Sequence, residues 1–227
     1  MKISEIFHSI QGEGVLVGLP SVFVRTSGCN LRCAWCDTPY TSWKPEGEDL
    51  SVDEVVHAAA EFGTRHIVVT GGEPMIVPEI VTLTRELKQL GKHITIETAG
   101  TVYAPVVCDL MSISPKLSNS VPHEREGGKW AAQHERLRYQ PEILGQLMRD
   151  FEHQLKFVVT SPDDLHEIEE MRHALSAKCD SIVLMPEGTD RDVLRDRALW
   201  LVEICKNRGY RFSPRLHIEL WGNRRGV

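Results

Sequence analysis

The chain has 227 residues, 41% of them hydrophobic and 26% charged, with a formal net charge of -6. That balance belongs to a globular protein, and it excludes a low-complexity chain and a broadly basic nucleic-acid binder. No apolar run reaches the roughly 18 residues of a membrane span, and the opening MKISEIFHSIQGEG lacks a signal-peptide core, so a cytoplasmic, reducing setting is expected.

Residues 1–20 read as a lead-in in which Gln11, Gly12, Glu13 and Gly14 make a tight polar turn. Val22 to Arg25 is apolar and β-branched, which predicts a strand. Ser51 and Glu54 form a capping box for a helix that Gly63 stops. A strand over His66 to Thr70, a helix over Pro78 to Leu90 and a strand over His93 to Thr98 follow. Asp109 to Ser114 predicts another strand. Residues 117–140 are polar and read as an insertion: a loop, a lid or a disordered stretch. A helix over Pro141 to Asp150 starts with proline in its first turn. Then come a strand over Gln154 to Thr160, a helix over Asp163 to Ser176 and a strand over Ser181 to Met185. A helix from Thr189 to Arg208 ends at Gly209, and Arg211 to Leu220 reads as extended.

Repeated strand-helix units predict an α/β fold with a parallel sheet. About six units fall short of the eight of a closed barrel, so the expectation is a single domain over residues 1–227 built as a partial (β/α)6 barrel. A doubly wound open sheet is the alternative. Both place chemistry at strand C-terminal ends. CNLRCAWC, TGGEP, ETAG and SPK each follow a predicted strand.

Cys29, Cys33 and Cys36 carry the strongest signal, spaced C-x3-C-x2-C in SGCNLRCAWCDT. Three thiolates so close can share one soft metal centre. They cannot fill the shell of a four-iron cluster, so one iron would stay open to another ligand. A structural zinc knuckle needs four ligands, usually in paired C-x2-C units, and only one such pair exists. Cys108, Cys179 and Cys205 are scattered and read as packing thiols. Trp35, between two of the clustered cysteines, would shield a metal centre from water.

C-x3-C-x2-C after the first strand and GGEP after the second resemble the radical S-adenosylmethionine (SAM) enzymes. In that family three cysteines hold a 4Fe-4S cluster, and SAM chelates the fourth iron. Reductive cleavage of SAM then gives a 5'-deoxyadenosyl radical that abstracts hydrogen from substrate. The flanks FHSIQGEG, ETAG, SPK and HIELWGN sharpen the resemblance to the 7-carboxy-7-deazaguanine synthase family of queuosine biosynthesis. That family turns 6-carboxy-5,6,7,8-tetrahydropterin into 7-carboxy-7-deazaguanine with loss of ammonia, and uses magnesium.

The resemblance implies roles for individual residues. Cys29, Cys33 and Cys36 would hold the cluster and Thr38 the magnesium ion. Trp35, Cys36, Asp37, Gly72, Glu73, Ser114, Pro115 and Lys116 would contact SAM, with Glu73 meeting its amino group. Ile10, Gln11, Gly12, Glu13, Arg25, Thr70 and His217 would bind the pterin, and Arg25 suits its carboxylate. The residues alone also allow plainer readings: a surface ion pair for Arg25, a turn residue for Thr38, a satisfied histidine at 217. A flavodoxin reductase and a homodimer are the family's expected partners. Two other functions fit the cysteine loop: a glycyl-radical-enzyme activase, and an iron-sulfur redox module without catalysis.

Overall fold

A computed structural model describes all 227 residues. The chain opens with β1 (Lys2–Ile10) and β2 (Pro20–Thr26), then a single helical turn α1 (Pro39–Ser42) and a short β3 (Glu48–Asp49). Next come α2 (Val52–Glu61), β4 (His66–Gly71), α3 (Ile80–Gln89), β5 (His93–Thr98) and β6 (Leu110–Ile113). After α4 (Ala131–Arg138) and α5 (Pro141–Asp150) the alternation resumes with β7 (His153–Val159), α6 (Asp164–Ala174), β8 (Ile182–Pro186) and α7 (Arg191–Arg208). A two-residue β9 (Arg211–Phe212) and α8 (Leu216–Trp221) finish it.

All nine strands join one sheet in the order β3-β1-β2-β4-β5-β6-β7-β8-β9. From β2 to β9 every neighbouring pair is parallel. The two edges do not pair with each other, so the barrel is partial. Six parallel strands, β2 and β4 to β8, match the predicted units.

Strand alternation separates the core from the site. Val22, Val24, Ile67, Val69, Ile94 and Ile96 join one apolar cluster with Val55, Ile80, Leu83 and Leu87 of the flanking helices. Their in-between neighbours Phe23, Arg25, Thr70 and Glu97 face the inside of the curved sheet and line its cavity. The capping box at α2 is formed as predicted, with Ser51 accepting from the Glu54 backbone.

Three regions differ from the sequence reading. Residues 1–20 include a nine-residue strand, β1, antiparallel to β2. Residues 117–140 are ordered, holding two 3-10 turns and α4. The extended stretch expected over Arg211 to Leu220 is a strand only at β9, and from Leu216 it is α8, docked by Leu216 N–H donating to the Gly12 carbonyl at 2.9 Å. Among the outlying thiols Cys205 is buried as expected, whereas Cys179 is exposed.

Candidate active site

A cavity of about 480 Å³ opens at the C-terminal ends of the strands, within the range of small-molecule sites. Cys29, Cys33 and Cys36 are free thiols on its wall. Leu31 N–H donates to Cys29 Sγ at 3.3 Å, and Cys36 Sγ lies 3.2 Å from Ser42 Oγ. Burial pushes the Cys29 thiol up to about 12 and raises Cys33 as well. A thiolate at Cys29 or Cys33 therefore needs a metal's positive charge beside it to exist at neutral pH. No three His, Cys, Asp or Glu side chains converge closely enough to grip a single ion, as a zinc knuckle requires. A cube asks for less convergence, because each thiolate takes a different iron. The donor set fits three corners of a four-iron cluster.

The TGGEP turn packs directly under this loop. A Cβ on Gly71 would stand 2.2 Å from the Thr26 carbonyl oxygen, and one on Gly72 2.1 Å from that of Gly28. Gly71 also holds φ at +139°, so glycine is required there on both counts. Glu73 N–H in turn donates to the Gly28 carbonyl at 2.9 Å. The Glu73 side chain corrects the sequence reading. It is fully buried and accepts from Thr98 Oγ1 at 2.7 Å, Ala99 N at 2.7 Å and Met75 N at 3.1 Å. Its carboxylate braces the turn from behind, while Thr70, Gly71 and Gly72 form the wall.

The QGEG turn crosses the sheet's inner face and floors the cavity. Gln11 Nε2 donates to Glu97 Oε1 at 3.1 Å, and Thr70 Oγ1 donates to Glu97 Oε2 at 2.8 Å. Glu13 accepts from Lys156 and, at 3.1 Å, from Arg215 Nε, with His217 Nε2 at 4.0 Å. Burial would raise Glu13, but the Lys156 and Arg215 charges outweigh it and hold the carboxyl well below its usual range. Gly12 must be glycine because its Cβ would fall 2.0 Å from His217 Nδ1. Burial lowers the His217 ring's affinity for a proton, with Glu13 opposing. The imidazole is thus neutral at the cavity wall.

Other assigned residues fall into place unevenly. Ile10, Trp35, Thr38, Ser114 and Lys116 line the cavity, and Pro115 does not. Trp35 Nε1 donates to the Asn119 carbonyl at 3.1 Å. Lys116 Nζ donates to Ser114 Oγ at 2.9 Å. Asp37 accepts from Arg215 and is not a free group waiting on the SAM side. Arg25 Nε lies 2.9 Å from Glu5 Oε1, with its guanidinium 5.6 Å from the Phe7 ring. Thr38 sits just before α1, its hydroxyl 3.8 Å from Cys36 Sγ.

Three residues escaped the sequence reading. Glu97 links Gln11 to Thr70, Lys156 faces Glu13, and Arg215 joins Glu13 to Asp37 and to the Gly188 carbonyl at 2.6 Å. Lys156 had one visible cue, a lone cation inside the apolar strand QLKFVVT.

Comparison with known proteins fits this geometry. The Radical SAM superfamily matches residues 23–117. A 7-carboxy-7-deazaguanine synthase of Rhodopirellula baltica is 46% identical over 100% of this chain and 89% of its own length. One from Halobacterium salinarum is 44% identical over 98% of this chain and 91% of its own. The crystal structure of QueE from Escherichia coli superposes with a TM-score of 0.71 at 27% identity, covering 95% of this chain and 94% of that one. On full-length identity of this order, the chain belongs to the 7-carboxy-7-deazaguanine synthase family of radical SAM enzymes.

Proposed function

We propose that this chain converts 6-carboxy-5,6,7,8-tetrahydropterin to 7-carboxy-7-deazaguanine with loss of ammonia, for deazapurine or queuosine synthesis. One observation carries the reading: a three-thiol loop and a floor of paired polar groups face each other across a single cavity. Full-length identity to named synthases favours small-ring chemistry over activation of a protein or an inert redox role.

Cys29, Cys33 and Cys36 would hold the 4Fe-4S cluster, which with SAM supplies the one-electron chemistry of this superfamily. The backbone of Gly71 and Gly72 faces the cavity and would receive the SAM amino group, since Glu73 is turned away. Ser114 and Lys116 offer a hydroxyl and a cation to the SAM carboxylate or ribose. Arg25 would take the pterin carboxylate in a paired hydrogen bond. Gln11, Thr70 and Glu97 hold one another and present a fixed pattern of donors and acceptors to the ring edge. Neutral His217, packed on Gly12, closes the same side. Thr38 offers a hard oxygen for magnesium beside the cluster loop, and magnesium keeps its remaining sites for water and substrate.

A flavodoxin-type reductase is the proposed electron source, a homodimer the proposed assembly and the cytoplasm the proposed compartment. No helix is long and apolar enough to cross a membrane. The test is anaerobic reconstitution followed by incubation with SAM, reductant, magnesium and the carboxypterin. The reading expects a deazaguanine product by mass spectrometry. SAM cleavage with the pterin recovered unchanged would overturn it.

A further inference from the structure

His134 lies in α4, away from the cavity, and the reaction has no use for it. The side chain is 1% exposed. Its Nδ1 accepts the backbone N–H of Arg32 at 3.0 Å, and Arg32 immediately precedes Cys33. Its Nε2 lies 2.8 Å from Ser120 Oγ, and that hydroxyl gives its own proton to the Leu117 carbonyl at 2.6 Å. The hydroxyl oxygen must therefore accept from the ring, which fixes the His134 proton on Nε2 and the lone pair on Nδ1. Burial, then the Lys116 and Arg138 charges, push the ring down to about 4, so it stays neutral.

The same segment grips the next residues of the cysteine loop. The Ser120 carbonyl accepts from Ala34 N–H at 2.8 Å. Arg125 donates to the Ala34 carbonyl at 3.2 Å. The N–H groups of Arg32 and Ala34, the residues on either side of Cys33, are thus held from residues 117–140. The loop is neither strand nor helix there, so it has no ladder of its own to satisfy these N–H groups. Leaving one buried and unpaired costs about 1–3 kcal/mol.

We propose that His134 is a positioning residue for the iron-sulfur cluster, holding the Cys29–Cys36 loop in the shape that presents its three thiolates. The inference rests on the radical SAM reading of those cysteines. Partners that orient metal ligands without touching the metal carry about 10–100-fold in affinity or activity.

The test compares wild type with His134→Ala, His134→Asn and Ser120→Ala. Asparagine is the rescue variant, because its Oδ1 can stand where Nδ1 stood. Two quantities are read: iron release to a chelator after anaerobic reconstitution, and amide hydrogen exchange at Arg32 and Ala34 in the metal-free protein. His134→Ala should release iron about tenfold faster or more and expose the Arg32 amide. His134→Asn should restore most of both, and Ser120→Ala should lie between. Thermal unfolding separates this role from general stability. A lower Tm with unchanged iron release and unchanged Arg32 exchange would overturn the proposal, as would an asparagine variant no better than alanine. If wild type took up no cluster at all, the radical SAM reading would fail, and exchange at Arg32 would still decide the brace.

Discussion

Arg25 faces Glu5 across the β1–β2 ladder, its Nε 2.9 Å from the Glu5 carboxylate. Tyr40 donates to the same carboxylate at 2.7 Å. The guanidinium proposed for the substrate is therefore ion-paired through Nε, although that N–H makes no hydrogen bond, and its N–H groups are left to do the recognition. Arg25→Ala should remove one charge-assisted contact, worth about 1.5–3 kcal/mol, or roughly 10- to 150-fold in KM at 1.4 kcal/mol per decade. Cluster absorbance should stay intact. An unchanged KM would return Arg25 to a purely structural ion pair.

Glu73 gives a second prediction, because the carboxylate braces two strand ends and does not meet ligand. Glu73→Gln replaces one acceptor oxygen with a donor facing the donors of Thr98, Ala99 and Met75. The lost bond and the new mismatch should cost about 1–3 kcal/mol of stability, seen as a lower Tm in metal-free protein without SAM. A variant with wild-type Tm and only weaker SAM binding would restore the direct-contact role.

Much of this architecture is written locally, and the exceptions have physical reasons. The six parallel strands are short, largely apolar runs buried on the helix side, and caps such as Ser51 with Glu54 mark their helices. β1 was hidden because KISEIFHSI mixes polar and apolar residues, and a register shift between Ile3 and Glu5 breaks its alternation. α8 is a six-residue helix whose docking comes from elsewhere: Arg191 donates to the Ile218 carbonyl at 3.2 Å, and Leu216 reaches Gly12. The cluster loop was legible because its cysteines are neighbours in sequence. The cavity floor was half legible. Glu13 stood in a visible turn, but Lys156 lies 143 residues away and Arg215 202, so only the fold reveals the pairing. Glu73 was misplaced because its motif is visible while the direction of its side chain is not.

Glu13 sets an acid limit on stability. Its folded carboxyl is depressed by Lys156 and Arg215 against the pull of burial, so the folded protein keeps it ionised where the unfolded chain takes up a proton. That contribution is complete above the unfolded carboxyl value of about 4.3 and declines as pH falls below it. Glu13→Gln takes the group out of the titration. Its Tm should therefore fall less steeply than wild type between about pH 5 and about pH 2. Parallel slopes would mean that Glu13 gains nothing from its cations in the fold.

Thr38 is proposed to hold magnesium through its hydroxyl beside Cys36. Thr38→Ala should raise the magnesium concentration needed for half-maximal turnover, and Thr38→Ser should recover most of it by keeping the oxygen. Identical magnesium curves for all three proteins would remove Thr38 from the metal's surroundings.

The most direct measurement is the electron paramagnetic resonance spectrum of the anaerobically reduced, reconstituted protein before and after SAM is added. Three cysteine ligands predict a four-iron signal that changes on addition, because SAM occupies the iron the protein leaves open. A signal indifferent to SAM, or no four-iron cluster at all, would contradict the account.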